Sequence, residues 1–388
     1  MKIWILGGDG FCGWPTALHL SDQGHDVTIL DNLVRRQTDI LLEVSSLTPI
    51  TPISTRISVW HDISGKKIKF LKINLANEYY LLLELLKKEK PDVIVHFAEQ
   101  RSAPYSMKSA ETKRYTVDNN IRVTHNLLVA LVESKVNSHI VHLGTMGVYG
   151  YGWSGKTPIP EGYLKMSING DKEKKTREIL YPANPGSVYH MTKNLDQLMF
   201  AFYAKNDGIR ITDLHQGIVW GTQTIQTKQD ERLINRFDYD GDYGTVLNRF
   251  LMEAAINYPL TVHGSGGQTR AFINIQDTVR CIELAILNPP KNGDRPAIFN
   301  QVTETFKVVN LAKLVAKLTG ATIDYLDNPR NEAADNDLFV ENKQFLALGL
   351  NSVKLNDGLM SEIEQIALKY ASRIDKTKIP ARSLWKTK

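Results

Sequence analysis

The sequence predicts an α/β fold, a doubly wound parallel sheet with a smaller mixed α/β region in its C-terminal part. Three observations predict it. Short apolar runs alternate with longer amphipathic stretches through the first half of the chain. The first run ends in a glycine-rich turn. The 388 residues exceed what one compact core needs.

Residues 3–6, 27–30, 68–73, 93–97 and 140–143 read as strands. They are short, rich in β-branched side chains and apolar on both faces, as parallel strands covered by helices must be. Residues 14–23, 78–88 and 119–133 read as the helices between them. Such alternation implies right-handed crossovers within one sheet. A helix over 187–204 leads to a further strand at 209–214. The pattern then loosens. Residues 216–243 are polar with few periodic apolar positions, the mark of a binding loop or a mobile one. Residues 151–185 are also loop-like, with a hairpin expected to turn at Asn169-Gly170. Helices follow near 278–287, 309–318 and 358–371. The expected division is a nucleotide-binding domain over 1–215 and a mainly substrate-binding region over 216–388, interleaved with it.

The net charge of +5 is small for this length, and the basic residues are scattered apart from Lys172, Lys174, Lys175 and Arg177. No nucleic-acid surface is expected, whereas a mildly positive cleft for an anionic substrate is. Two cysteines, Cys12 and Cys281, can build neither a disulfide framework nor a thiolate metal site, and no metal is expected. No apolar run approaches the roughly 20 residues that span a bilayer. The N-terminal segment lacks the apolar stretch and cleavage site of a signal peptide. The expectation is a cytoplasmic protein without a membrane anchor.

The first strand runs into Gly7-Gly8-Asp9-Gly10-Phe11-Cys12-Gly13. Gly7, Gly10 and Gly13 form G-x-x-G-x-x-G between a strand and a helix, the Rossmann arrangement. It gives a tight turn, close approach of backbone to a pyrophosphate, and a helix N-terminus aimed at the phosphates. Asp31 closes the second strand eighteen positions after Gly13, where a carboxylate takes the hydroxyls of the adenosine ribose. That carboxylate repels a 2′-phosphate and favours NAD, while Arg35 and Arg36 pull toward NADP, unless they contact the cofactor's adenosine or phosphates or are solvated. NAD is the expected cofactor.

Tyr189 and Lys193 are spaced i, i+4 on one helix face. An ammonium there lowers the pKa of the phenol. The phenolate can then take a proton from a sugar hydroxyl while hydride leaves its carbon. Thr145 follows the strand at 140–143, on the carboxyl edge where ligands sit in such sheets. Asn119, on the helix before that strand, is either a residue that fixes active-site backbone or water, or a helix-capping asparagine.

On these residues the chain resembles the extended short-chain dehydrogenase/reductases that act on nucleotide sugars, whose triad is Thr, Tyr and Lys. Further segments narrow the resemblance: D-N-L-V-R-R at 31–36, S-L-T-P-I at 46–50, H-F-A-E-Q-R-S-A-P-Y-S-M at 96–107, G-T-M-G at 144–147, Y-H-M-T-K at 189–193, G-G-Q-T-R at 266–270 and N-P-R-N-E-A at 328–333. Along nearly its whole length the chain looks like the branch that joins UDP-glucose and sulfite into a UDP-linked sulfosugar and water. The resemblance implies oxidation at carbon 4 with NAD, loss of water across carbons 5 and 6, sulfite addition at carbon 6, and return of the hydride.

It also implies residue roles. Asp9, Phe11, Cys12 and Asn32 join the glycines and Asp31 around the cofactor, together with Asn74, Leu75, Phe97 and Gln216. Related 4,6-dehydratases carry an Asp-Glu pair after the Thr; Met146 and Gly147 stand there instead. A carboxylate at that place would repel a sulfite dianion. His190 is the candidate proton donor to the departing hydroxyl, because imidazole titrates near neutral pH, or else a buried structural histidine. Arg101 offers a cationic fork for sulfite and Glu99 a partner for a sugar hydroxyl, unless the two form a structural ion pair. Asn248, Gln268, Arg270 and Arg330 match the UDP side, with Gln216, Thr261 and Asn300 also expected there. A homodimer is implied, through helices 119–133 and 187–204, and a sulfite-delivering protein is a conceivable partner. Three departures from the branch are Val148 in place of Glu, Asn74 in place of Asp, and the loop over 151–185. The alternatives are a UDP-sugar 4-epimerase or 4,6-dehydratase and, more remotely, a non-catalytic NAD-binding sensor.

Overall fold

The computed structural model describes residues 1–150, 157–169, 174–330, 332–355, 360–381 and 385. The apolar runs become β1 (Lys2–Leu6), β2 (Asp26–Asp31), β3 (Ile68–Lys72), β4 (Val93–His96) and β5 (His139–Leu143). A hairpin of β6 (Tyr163–Asn169) and β7 (Lys174–Leu180) follows. Asn169 faces Lys174 across it, and the expected turn beyond Asn169 lies outside the described residues. The later strands are β8 (Arg210–Gln216), β9 (Ile218–Trp220), β10 (Leu260–His263), β11 (Gly267–Asn274) and β12 (Ala297–Gln301).

Seven strands make the main sheet in the order β3-β2-β1-β4-β5-β8-β12, every pair parallel. The direction of winding reverses between β1 and β4, the place where such sheets open a crevice. Alternate residues of each strand feed opposite faces. Ile3 and Ile5 of β1 pack on one side with Trp14, Leu18 and Trp60; Trp4 and Leu6 pack on the other with Leu82, Leu127 and Phe200. Fully burying side chains of this size contributes about 1.5–3 kcal/mol each.

The covering helices are α1 (Gly13–Asp22), α2 (Val34–Leu42), α3 (Ile53–Ser64), α4 (Tyr79–Glu89), α5 (Ala103–Ser106), α6 (Ala110–Ser134) and α7 (Val188–Asp207). α6 begins well before residue 119, because Ser109 and Thr112 form a capping box that fixes its first turn. Asn119 therefore sits in mid-helix and caps nothing. After β8 come α8 (Val246–Ala255), α9 (Ile275–Leu287) and α10 (Val308–Thr319). The C-terminal part has its own core, in which Phe250, Leu260, Phe272 and Leu311 meet Ile363 and Ala367. β12 nevertheless returns to the edge of the main sheet, and α9 packs against α1.

Residues 216–243 are irregular, with β9 and one short 3-10 turn, yet they are not a loose loop. Asn235, Phe237 and Tyr239 are buried. The Asn235 carbonyl accepts from Thr48, and Phe237 exchanges hydrogen bonds with Ser46 and Leu47. Among the described residues no helix is long and apolar enough to cross a membrane.

Candidate active site

A cavity of about 390 Å³ runs along the carboxyl edge of the sheet. One end lies at the glycine turn. Gly7 has φ +81°, and a Cβ there would come within 2.9 Å of the Ala98 backbone nitrogen. A Cβ on Gly13 would come within 2.2 Å of the Gly7 carbonyl oxygen. Both positions demand glycine, and the result is a backbone that a pyrophosphate can approach. No side chain caps α1; the Trp14 N–H is taken by the Gly10 carbonyl and Pro15 has none, while Phe11, Cys12 and Gly13 bring the start of the helix to the cavity wall.

Asp31 ties this end together. Its carboxylate accepts the Asp9 N–H at 2.9 Å and the Leu33 N–H at 2.7 Å. Burial pushes its pKa up to about 6, with those two N–H groups pulling the other way. It therefore remains largely ionised at pH 7. The two arginines that argued for NADP are both committed elsewhere. Arg36 grips Asp9 with Nε at 2.6 Å and Nη2 at 2.8 Å. Arg35 pairs with Asp39 and Asp238 and stacks 3.7 Å over the Tyr243 ring. A carboxylate without a free guanidinium beside it fits a 2′-hydroxyl, and the residues present fit NAD. Phe11, Cys12, Asn32, Leu75, Phe97, Asn119 and Gln216 also line the cavity. Cys12 is no nucleophile: burial pushes its thiol up to about 12. Asn74 is not on the cavity wall; its side chain accepts the Ala76 N–H instead.

The backbone-fixing role weighed for Asn119 falls to its neighbour. Asn120 is buried, accepts the Gln100 N–H at 2.8 Å, and donates to the Gln100 carbonyl oxygen and the Thr192 hydroxyl. Two adjacent asparagines on one helix point to different faces, and only the position of α6 decides which one faces in.

Thr145, Tyr189 and Lys193 meet on the cavity wall. Ser187 caps α7 by accepting the His190 N–H, which fixes the turn that carries Tyr189. The Thr145 side chain stands beside the Tyr189 hydroxyl and favours its phenolate. Burial raises the Tyr189 phenol above its usual range, against the pull of Lys193, Arg101 and Thr145. The lysine effect expected from the sequence is present, but desolvation outweighs it. Lys193 is buried, with Nζ 3.0 Å from Glu99 Oε2 and 2.8 Å from the Leu143 carbonyl oxygen.

Met146 lines the cavity as well. Gly147 turns its missing side chain toward His190, where a Cβ would lie 2.2 Å from Cδ2 of the ring. The His190 ring is buried and its Nδ1 has no protein partner. Burial first, then Arg330 and Arg270, lowers its pKa to about 3. The expectation of titration near neutrality does not hold, because desolvation and two guanidinium groups disfavour the imidazolium.

Glu99 and Arg101 do not pair with each other. Glu99 binds Lys193, and Arg101 reaches Asp238 at 2.5 Å. Both still line the cavity. At the far end stand Arg270, Arg330, Gln268 and Thr261, with the Gln268 Nε2 buried and without a partner. Arg270 pairs with Glu332, and Arg330 lies 5.1 Å from the centre of the Trp385 ring. Asn248 and Asn300 lie off the wall. Asn248 bridges the N–H and carbonyl oxygen of Gly221, and Asn300 joins Tyr149, Pro160 and Glu341. Sequence reasoning missed Arg249 and His263, which line the same end. Arg249 comes from α8, a helix not anticipated; its neighbour Asn248 had drawn the attention.

The sequence profile of the NAD dependent epimerase/dehydratase family matches residues 3–300. The chain belongs to that family. It is 43% identical to the chloroplastic UDP-sulfoquinovose synthase of Spinacia oleracea, over 99% of this chain and 79% of that protein. It is 38% identical to the UDP-sulfoquinovose synthase of Sulfolobus acidocaldarius, over 97% of this chain and 95% of that protein. At this likeness it groups with the UDP-sulfoquinovose synthases within the family. Solved structures share the fold. A UDP-glucose 4-epimerase from Thermotoga maritima superposes with a TM-score of 0.70 at 20% identity, covering 96% of this chain and 99% of that one. A UDP-glucuronic acid 4-epimerase from Bacillus cereus gives 0.66 at 23%, covering 94% and 99%. NAD dependence is thus a property of the family whose glycine turn and Asp31 this chain carries.

Proposed function

We propose that the protein is a UDP-sulfoquinovose synthase, which converts UDP-glucose and sulfite to UDP-sulfoquinovose and water. The observation that carries this reading is the Gly147–His190 packing beside Tyr189. The wall next to the reacting carbons presents a thioether and an imidazole, with no carboxylate at residues 146 or 147. A wall of this kind admits an anionic nucleophile, whereas an Asp-Glu pair would repel it.

When bound, NAD supplies a reversible hydride acceptor. The chain supplies the rest. Gly7, Gly10, Gly13, Asp31, Asn119 and Lys193 would hold the cofactor. The Tyr189 oxygen takes the proton of the carbon-4 hydroxyl, with Thr145 beside it. Oxidation there acidifies the proton at carbon 5, which passes to the neutral His190 imidazole and from it to the carbon-6 hydroxyl, so that one water leaves across carbons 5 and 6. Arg249, Arg270 and Arg330 take the diphosphate, and its two negative charges offset the guanidinium groups that depress His190. The imidazole then becomes easier to protonate as substrate binds, which suits it to give a proton to the departing hydroxyl. Arg101 is the sulfite-side cation, its present partner Asp238 being the group an incoming anion displaces.

The protein would act as a homodimer. Met191, Leu195, Leu198 and Phe202 form an exposed apolar stripe on α7, beside α6. A reducing compartment such as the cytoplasm suits two unpaired buried thiols. The test is direct: protein, UDP-glucose and sulfite are incubated and the sugar nucleotides are weighed by mass spectrometry. A sulfonated product supports the reading. UDP-galactose without sulfite incorporation would replace it with an epimerase. Product formed only when a sulfite-donating protein is added would make that protein a partner.

A further inference from the structure

Lys193 stands at the end of a buried row of ionisable groups that the reaction above leaves unused. His142, on β5, is fully buried. Its Nδ1 lies 2.7 Å from Asp213 Oδ1 on β8. Its Nε2 lies 3.1 Å from Glu99 Oε1 and 3.0 Å from Lys193 Nζ. The other groups facing it are His96 from β4, with ring centres 5.4 Å apart, and Asp196 from α7 at 3.8 Å. Thr124 of α6 reaches Glu99 Oε1, and the Phe200 ring closes the remaining side. On β8, Asp213 Oδ2 meets His215, which in turn meets the Tyr149 hydroxyl. His96, Glu99 and His142 converge as a metal site would, but the Lys193 ammonium is already the cation among them.

This arrangement has an electrostatic consequence. Lys193 is meant to stabilise a phenolate at Tyr189, yet Glu99 sits 3.0 Å from the ammonium and cancels much of its field. A second positive charge is needed to restore it. We propose that His142 is a positioning residue that carries this charge: held as an imidazolium between Glu99 and Asp213, it offsets Glu99 and helps set the pH at which Tyr189 becomes a base. This inference rests on the reading of Tyr189 as the catalytic base.

The geometry suits both charge states of the ring. As imidazolium, each ring N–H has a carboxylate acceptor. As neutral imidazole protonated at Nδ1, its Nε2 accepts from Lys193. Neither state strands a buried polar atom of the ring, so a proton can be gained or lost there without the desolvation penalty of an unpaired group. Burial and the Lys193 charge push the imidazole down, and Asp213 with Glu99 outweighs them, bringing it up to about 9. His96, by contrast, is lowered to about 3 by burial and adds no charge at neutral pH.

Two substitutions must act in opposite directions. The readout is the ultraviolet phenolate band of the NAD-saturated protein below pH 9, where His142 still holds its proton and where the positive nicotinamide is expected to bring Tyr189, taken as a difference against Tyr189→Phe in the same background so that one of fifteen tyrosines is seen. His142→Asn removes the positive charge and should move the Tyr189 midpoint up by about one pH unit, roughly tenfold less phenolate at fixed pH. Glu99→Gln removes the negative charge and should move it down. The alkaline-rising limb of turnover should shift with each midpoint. No shift, or shifts of the same sign, would overturn the proposal, since lost packing alone has no reason to reverse with charge. Where His142→Asn does not fold, His142→Gln carries the same expectation. The titration needs no turnover, so a protein inactive on UDP-glucose and sulfite would sink the functional reading and still leave this one to be judged.

Discussion

The imidazole of His190 occupies the space in which a side chain at Gly147 would begin, with a Cβ there only 2.2 Å from His190 Cδ2. The pair is thus a single feature: the histidine is held beside Tyr189 because residue 147 has no side chain. Gly147→Ala forces the ring to move or the 3-10 turn after Thr145 to shift. Overpacking of this kind costs about 1–3 kcal/mol, which a thermal melt reads directly. A displacement near 1 Å at the reacting carbons should lower turnover by about a hundredfold. A variant as active and as stable as the parent would show that the packing plays no part in catalysis.

Tyr189→Phe should lower turnover by roughly 10²–10⁴-fold, because only the proton acceptor is lost. The cofactor contacts at the glycine turn and Asp31 are untouched, so NAD should co-purify with the variant as with the parent. Release of the nucleotide by acid and its quantification settle the second point. Parent-like activity in this variant would remove Tyr189 from the mechanism.

Much of the main sheet was legible in the sequence, because parallel strands buried on both faces leave unbroken β-branched runs. The strands end within two residues of their expected limits. α2 was not read: past Val34 its apolar residues crowd into its last turn, Ile40 and Leu41 are exposed, and the helix buries only Thr38. α3 and α8 were missed for other reasons. α3 is rich in Ile, Ser, Thr and Val, all weak helix formers, and α8 is short, follows the irregular 216–243 segment and has no side-chain cap to mark its start. The Tyr189–Lys193 pair and the glycine turn were legible because each is a local spacing, and Thr145 because it follows a legible strand. The pairings Arg36–Asp9, Arg101–Asp238 and Arg35–Asp238 were not, since they join residues far apart in sequence. Those pairings are what decide whether an arginine is free to meet a ligand.

Asp31→Ala should weaken NAD binding by about tenfold, the loss of a charge-assisted hydrogen bond to a ribose hydroxyl. NADP binding should fall less, because the substitution also removes the charge that repels a 2′-phosphate. Arg36 does not rescue it while bound to Asp9. Calorimetric titration of both nucleotides gives the ratio, and an unchanged preference would refute the ribose role of Asp31.

Stability should depend on pH in a direction set by the buried histidines. Burial lowers His96, His139, His190 and His263 each to about 3. In the unfolded chain they titrate near 6.5. Below that pH the unfolded state binds protons that the folded state refuses, so stability is present above about 6.5 and is lost as pH falls toward 3. Asp213, held far below the usual carboxylate range by His215 and His142 against its burial, adds to the loss in acid. His142 has the opposite sign. Its folded value of about 9 gives stability that is full below 6.5 and is lost as pH rises through 9. The thermal midpoint should therefore be highest near neutrality, fall steeply between pH 6.5 and 4, and decline again above pH 9. His142→Asn should flatten the alkaline decline and, by releasing Asp213 from one of its two imidazole partners, also soften the acid one. A midpoint constant from pH 7 to pH 4 would mean that these imidazoles are hydrated in the native protein and that the packing around them is looser than described.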